Sequence, residues 1–174
     1  MVLAPVLELL LFLVPIYFAN ASPVILGGGT PMDLNRKLSD GERILGEGKT
    51  IRGFVGGVIT GTVAGGVVTY FYLLPFFPDA KMQFIGVFVL SFGALLGDAI
   101  GSFIKRRAKI GSGKPFMLDS VLFVIIALVL VYPFVNAKIL YTPVNVSFFI
   151  LLTLILHPLT NFFANRAGLK NVPW

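Results

Sequence analysis

Five long apolar stretches, at residues 2–19, 54–74, 84–104, 116–134 and 146–163, occupy most of this 174-residue chain. About 20 apolar residues carry a helix across a bilayer, so five such spans use roughly 100 residues and leave room for loops but for no large second domain. Residues 1–174 therefore read as one domain. Hydrophobic residues make up 56% of the chain against 13% charged, too apolar a balance for a soluble globular protein. None of the stretches alternates apolar and polar residues as a membrane β-strand does. The expected fold is all-α, a membrane bundle of five transmembrane helices. With no cysteine, disulfides and thiolate metal sites are excluded. The first stretch ends in Ala19-Asn20-Ala21, which resembles a signal-peptidase site, but it lacks a basic leader and is interrupted by Glu8 and two prolines, so it reads as a retained helix.

The basic residues orient the bundle. With the N-terminus outside, one face collects Arg36, Lys37, Arg43, Lys49 and Arg52, then Lys105, Arg106, Arg107, Lys109 and Lys114, then Arg166 and Lys170. The opposite face keeps only Lys81 and Lys138. The positive-inside rule makes the basic face cytoplasmic, C-terminus included. The two polar loops that carry chemistry, at residues 27–52 and 105–116, both lie there.

Asp98, inside the third stretch, is the first functional suspect. A carboxylate at bilayer depth is costly unless it faces a polar cavity, a metal or a partner charge. On a helix Ser102 lies one turn beyond it and Lys105 two turns beyond, forming one stripe. Asp119 opens the next apolar run after a short basic loop. Alone it suits a helix start, where an acid meets the positive dipole end. Together the two acids can offer hard oxygen ligands to Mg2+ while the loop contacts phosphates.

The loop at 27–52 ends in Gly48-Lys49-Thr50, which looks like the tail of a Walker A motif. The glycine that motif needs falls at Arg43 and no strand precedes it, so a P-loop is rejected. Lys49, Thr50 and Arg52 sit where the second helix starts, a position suited to phosphate and equally to lipid headgroups as a topogenic anchor. Gly53, Gly57, Gly61 and Gly65 recur every four residues, a packing groove. Gly93, Gly97 and Gly101 repeat the device on the third helix and make those two helices expected neighbours. In the fifth stretch His157, Asn161 and Asn165 share one face, with Pro158 favouring a kink; His157 there reads more readily as a packing hydrogen bonder than as a base. Glu8, near the external end, is left unplaced.

Gly97-Asp98, Ser102 four residues after the acid, and Lys105-Arg106 three and four beyond the serine resemble the CTP:phosphatidate cytidylyltransferase signature, residue for residue. The bacterial Lys-Asp and Gly-His-Gly-Gly elements are absent from residues 109–118 and the loop is shorter. That shortened loop, the Gly-Thr-Pro-Met-Asp and Asp-Gly-Glu-Arg-Ile-Leu-Gly-Glu-Gly-Lys-Thr-Ile-Arg-Gly stretches, and the terminal Asn-Arg-Ala-Gly-Leu-Lys-Asn-Val-Pro-Trp resemble the archaeal CDP-archaeol synthase family over nearly the whole chain. The resemblance implies transfer of a cytidylyl group from CTP to 2,3-bis-O-geranylgeranylglycerol 1-phosphate, an unsaturated ether lipid, in the cell membrane. On that reading Asp98 and Asp119 hold Mg2+, and Lys49, Arg52, Lys105 and Arg106 contact the triphosphate and the lipid phosphate. Thr50 and Ser102 donate hydrogen bonds, and the segment from Thr30 to Asn35, with Asp33 as a secondary candidate, is offered to cytosine, whose readers the sequence does not identify. His157 and Asn161 are secondary candidates. The expected partners are CTP, the lipid phosphate and the bilayer, with no nucleic acid, and the oligomeric state is open. The rivals are a CTP-dependent polyprenol kinase, a small membrane transporter and a purely structural membrane protein.

Overall fold

The computed structural model describes residues 4–111, 114 and 116–170. Expectations that fall on Val2, on loop positions Ser112, Gly113 and Pro115, and on the tail from Asn171 to Trp174 lie outside the described residues. Seven α-helices make up most of what is described: α1 Val6–Ala21, α2 Pro23–Leu26, α3 Ile51–Phe71, α4 Ala80–Arg107, α5 Leu122–Val131, α6 Ala137–Leu140 and α7 Pro143–Arg166. Short 3-10 helices at Met117–Ser120 and Tyr132–Phe134 bracket α5.

Helix starts follow local chemistry. The Thr50 hydroxyl accepts from Gly53 N at 3.1 Å, the Asp79 carboxylate from Met82 N at 2.8 Å, and the Thr142 hydroxyl from Asn145 N at 3.2 Å. Each satisfies one of the amides that a helix leaves open at its first turn, capping α3, α4 and α7. Four helical segments are long and apolar enough to cross a membrane: Val6–Leu26, Ile51–Phe71, Ala80–Arg107 and Pro143–Arg166. The 28 residues of α4 give it a length of about 42 Å, longer than the hydrocarbon core, so its basic last turn with Lys105, Arg106 and Arg107 extends past the apolar zone.

The fourth apolar stretch departs from expectation. Instead of one helix over 116–134, it holds only the ten-residue α5 between two tight 3-10 turns. Pro133, which has no amide to donate, sits in the second turn. In the first, Asp119 precedes α5 rather than lying in its opening turn, and its side chain reaches across to α4.

The core lies between α1, α4 and α5, where Leu9, Phe12, Ile16, Leu90, Ala94, Phe123, Val124 and Ala127 are buried. Phe12 packs against Phe76, Phe77 and Phe149 with ring centroids 5.6–5.9 Å apart. The glycine rows do the expected packing, with one difference in partner. A Cβ at Gly61 would lie 2.5 Å from the Pro15 carbonyl and 2.6 Å from Ser91 Oγ, so the α3 row admits both α1 and α4. Helices α3 and α4 are neighbours, but the α4 glycines face elsewhere: a Cβ at Gly97 would lie 2.5 Å from the Leu122 carbonyl of α5. Between α3 and α4 the fully buried Gln83 closes the connection, donating to Thr69 Oγ1 and the Tyr72 carbonyl and accepting from Leu74 N. Glu8 accepts from Tyr72 Oη at 3.0 Å. Helix α7 is the least enclosed and is tied on by polar bonds, Tyr17 Oη to Thr153 Oγ1 at 3.0 Å and Ala4 N to Asn145 Oδ1 at 3.1 Å.

Candidate active site

The 27–50 connection, the C-terminal end of α4, the Met117–Ser120 turn and the C-terminal half of α7 meet at one end of the bundle around a cavity of about 890 Å3. Asp98, Ser102, Lys105 and Arg106 all line it, because the helical period puts these positions on one flank of α4. Lys49 enters from the loop and Asp119 from the 3-10 turn. Five cationic side chains, Lys49, Lys105, Arg106, Lys114 and Lys170, face three carboxylates, Glu47, Asp98 and Asp119. The charge excess is what a site for a polyanion requires.

Inside the cavity the charges are ordered in pairs. Lys49 Nζ donates to Asp98 Oδ2, and Lys105 Nζ donates to Asp119 Oδ2 at 2.6 Å. Lys105, on the same helix as Asp98, thus serves the other acid, while the loop lysine serves Asp98. Among the described residues the second oxygen of each carboxylate, Asp98 Oδ1 and Asp119 Oδ1, accepts no hydrogen bond. Two carboxylates with free oxygens on the wall of this cavity fit Mg2+, which commonly takes one or two carboxylates and fills its other positions with water and substrate phosphate. Among the described residues no cluster of three or more acids and histidines offers an all-protein metal cage.

Arg106 is held at the edge. Its Nη1 donates to the Ile110 carbonyl at 2.9 Å, while its Nε is buried with no hydrogen-bond partner among the described residues. It packs on Gly46, whose φ of +96° is left-handed and whose Cβ, if present, would lie 3.2 Å from Arg106 Nε. The left-handed backbone favours glycine there, and any side chain would also crowd the Arg106 guanidinium.

The loop owes its shape to Asp33. This carboxylate is buried and accepts from Arg43 Nη2 at 2.5 Å and from the amides of Gly46, Leu45 and Asn35 at 3.0–3.1 Å. The Arg43 guanidinium, with those amides, holds its pKa well below the usual carboxylate range against the opposing effect of burial. Arg107 then fastens the loop to α4, pairing with Asp40 and donating to the Arg43 carbonyl at 2.6 Å. Asp33 therefore positions residues 45–49, which line the cavity, and does not line it itself. Thr50 and Arg52 are not cavity residues either. The Thr50 hydroxyl is committed to the α3 cap and borders a smaller crevice behind Lys49 and Asp98, and Arg52 is exposed on the first turn of α3.

On the far wall His157 Nδ1 lies 3.2 Å from Ser120 Oγ, and Asn161 lies beside the same ring. Asn161 Oδ1 accepts from Lys170 Nζ at 2.9 Å. Burial and the nearby Lys49 lower the pKa of Lys170, with Asp98 and Asp119 pulling the other way. The Ser120 and Lys170 contributions, and the wall made by Leu45, Phe116, Met117 and Leu169, carry no motif that spacing could reveal.

Fold and site together define a polytopic helical membrane protein that gathers paired carboxylates and a cationic excess into a pocket at one end of its bundle, the apparatus of an intramembrane enzyme acting on phosphates. The chain belongs to the CarS-like CDP-archaeol synthase family, whose model matches residues 2–174. It is 47% identical over 165 residues to the CDP-archaeol synthase of Thermococcus gammatolerans, covering 94% of this chain and 93% of that protein. With the CDP-archaeol synthase of Pyrococcus horikoshii it shares 47% identity over 169 residues, 97% of this chain and 96% of its relative. A solved structure described as "Structural insight into an intramembrane enzyme for archaeal membrane lipids biosynthesis" superposes with a TM-score of 0.75 at 32% identity, covering 91% of this chain and 96% of that one.

Proposed function

We propose that this protein transfers the cytidylyl group of CTP to the phosphate of 2,3-bis-O-geranylgeranylglycerol 1-phosphate, giving CDP-archaeol and pyrophosphate. Family membership supports the reaction, and one observation of this chain carries it: the cavity that joins Asp98 and Asp119 to Lys49, Lys105 and Arg106 at the end of apolar helices. An oxygen of the lipid phosphate attacks the α-phosphorus of CTP in line. A new phosphorus–oxygen bond forms as the bond to the bridging oxygen of pyrophosphate breaks. The nucleophile is already anionic at neutral pH, so no general base is required, and His157 is not assigned that role.

Catalysis of this kind consists mostly of positioning and charge neutralisation. Lys49, Lys105 and Arg106 bind phosphate oxygens and oppose the charge that grows on the departing pyrophosphate. Ser102 donates a hydrogen bond from the same wall. Asp98 and Asp119 would hold Mg2+, which when bound supplies charge neutralisation on phosphate oxygens. Substrate phosphates can take over the two lysines that pair with the carboxylates, which would leave both acids to the metal. Thr50 and Arg52 support the start of α3 and meet headgroups rather than the nucleotide. Residues 45–48, placed by Asp33, are the loop segment offered to the nucleotide. The reading includes five membrane crossings with α5 and its flanking turns as the fourth, an external N-terminus, and a cavity that opens to the cytoplasm from the cell membrane.

Purified protein given CTP labelled at the α-phosphorus, the ether-lipid phosphate and Mg2+ should yield labelled CDP-lipid and pyrophosphate. Release of CDP with phosphorylation of a polyprenol would identify the kinase instead, and absence of both products would overturn the enzymatic reading.

A further inference from the structure

Beyond α7 the chain doubles back into the cavity. Gly168 adopts φ +73°, with Gly168 N donating to the Asn165 carbonyl at 3.0 Å and Leu169 N to the Ala164 carbonyl at 2.9 Å. These bonds complete a glycine-terminated helix end and need nothing further from Lys170. Yet Lys170 is also held at its backbone, by Asn165 Nδ2 on the carbonyl at 2.8 Å, and at its ammonium, by Asn161 Oδ1 at 2.9 Å. Asn161 and Asn165 are one turn apart on α7, so a single helix face grips both ends of one residue. The result is a cation lining the cavity opposite the α4 wall, within electrostatic range of Lys49, Lys105, Asp98 and Asp119. The Lys170 ammonium joins Lys49, Lys105, Arg106 and Lys114 around one cavity, a gathering of cations suited to a polyanionic ligand.

We infer that Lys170 contacts a phosphate of the bound substrates, and that Asn161 and Asn165 are positioning residues that fold the tail over the site. The inference rests on the proposed reaction for the source of that phosphate, either the nucleotide triphosphate or the lipid phosphomonoester. The test separates the sources. Equilibrium binding of CTP with Mg2+ to detergent-purified protein, without lipid, reports the nucleotide arm; the KM for lipid phosphate at saturating CTP reports the other. Lys170→Met should weaken one of the two by about tenfold or more, as loss of a charge-assisted hydrogen bond does, and Lys170→Arg should recover to within about threefold. Asn161→Ala, which leaves the backbone bond of the tail in place, should move the same parameter in the same direction. Both parameters within about twofold of wild type in Lys170→Met would overturn the inference. So would equal losses in the Met and Arg variants alongside equal falls in thermal midpoint, the mark of a merely structural latch. Wild-type protein that binds CTP but makes no CDP-lipid would overturn the reaction and leave the CTP arm to judge Lys170.

Discussion

Asp98 and Asp119 meet the same cavity from different elements, each with one oxygen on a lysine and one free among the described residues. Asp98→Asn and Asp119→Asn should each lower turnover by about a hundredfold or more while the protein stays folded in the membrane, because each removes a hard anionic ligand. Near-normal CDP-lipid formation in either variant would remove that residue from the site. Lys105 and Lys109 give an internal contrast. Lys105 is buried against Asp119, whereas Lys109 lies beyond the α4 terminus and outside the cavity. Lys105→Ala should cost kcat/KM at least about tenfold, and Lys109→Ala less than about twofold. The spacing of Asp98, Ser102 and Lys105 was legible in the sequence because a helix converts it into one flank. The pairing of Lys49 with Asp98 was not, since 49 positions of chain separate them. Asp33 was read as a secondary site candidate in a glycine-rich loop and not as the organiser of that loop, because nothing in its neighbours announces that three amides and Arg43 converge on it. Its lowered pKa means that its contribution to loop order is present above about pH 4, its unfolded value, and is lost as pH falls toward the folded value. Tryptic cleavage at Arg36 or Lys37 should therefore accelerate in Asp33→Asn at neutral pH, and the hydrogen-exchange protection factors of the Leu45 and Gly46 amides in the wild type, corrected for the intrinsic pH dependence of exchange, should fall only in acid.

Long apolar runs made α3, α4 and α7 legible to within a few residues, since hydrophobicity is a local property, and the caps at Thr50, Asp79 and Thr142 that set their starts came from the structure. The interruption of the fourth run was not legible. A run of apolar residues fixes burial but does not say that Asp119 will be drawn out of the helix toward Lys105. Which helix fills a glycine groove is also a tertiary matter. Gly97 shows the consequence, because backbone of α5 occupies the space where its side chain would be. Gly97→Ala must push α5 away from α4, and with it the Met117–Ser120 turn that carries Asp119. It should lower the thermal midpoint in detergent and reduce activity together, by about tenfold or more in the latter, since about 1 Å of misplacement can cost a hundredfold. Gly66→Ala on α3, whose Cβ would meet only Phe84 at an ordinary 3.6 Å, should leave both measurements unchanged.

At the scale of the molecule, one end of the bundle holds all the chemistry and most of the positive charge, and that coincidence carries a topological consequence. Twelve of the fourteen Lys and Arg residues belong to the segments that converge on the cavity or extend from it, while Lys81 and Lys138 mark the other end. On the proposed reading the positive-inside rule puts the opening of the site on the cytoplasmic face, so that CTP would reach it from the cytoplasm and the lipid phosphate would lie in the inner leaflet. The chain has no cysteine, so single substitutions report position without background. Ser39 is exposed in the loop that Asp33 organises, and Lys81 is exposed at the start of α4. In intact cells or right-side-out vesicles, a membrane-impermeant thiol reagent should modify Lys81→Cys and spare Ser39→Cys, and the pattern should invert in inside-out vesicles. Labelling of Ser39→Cys from outside would place the cavity on the external face, where CTP is not supplied. The proposed orientation would then fall, while product formation by the purified protein would still judge the reaction.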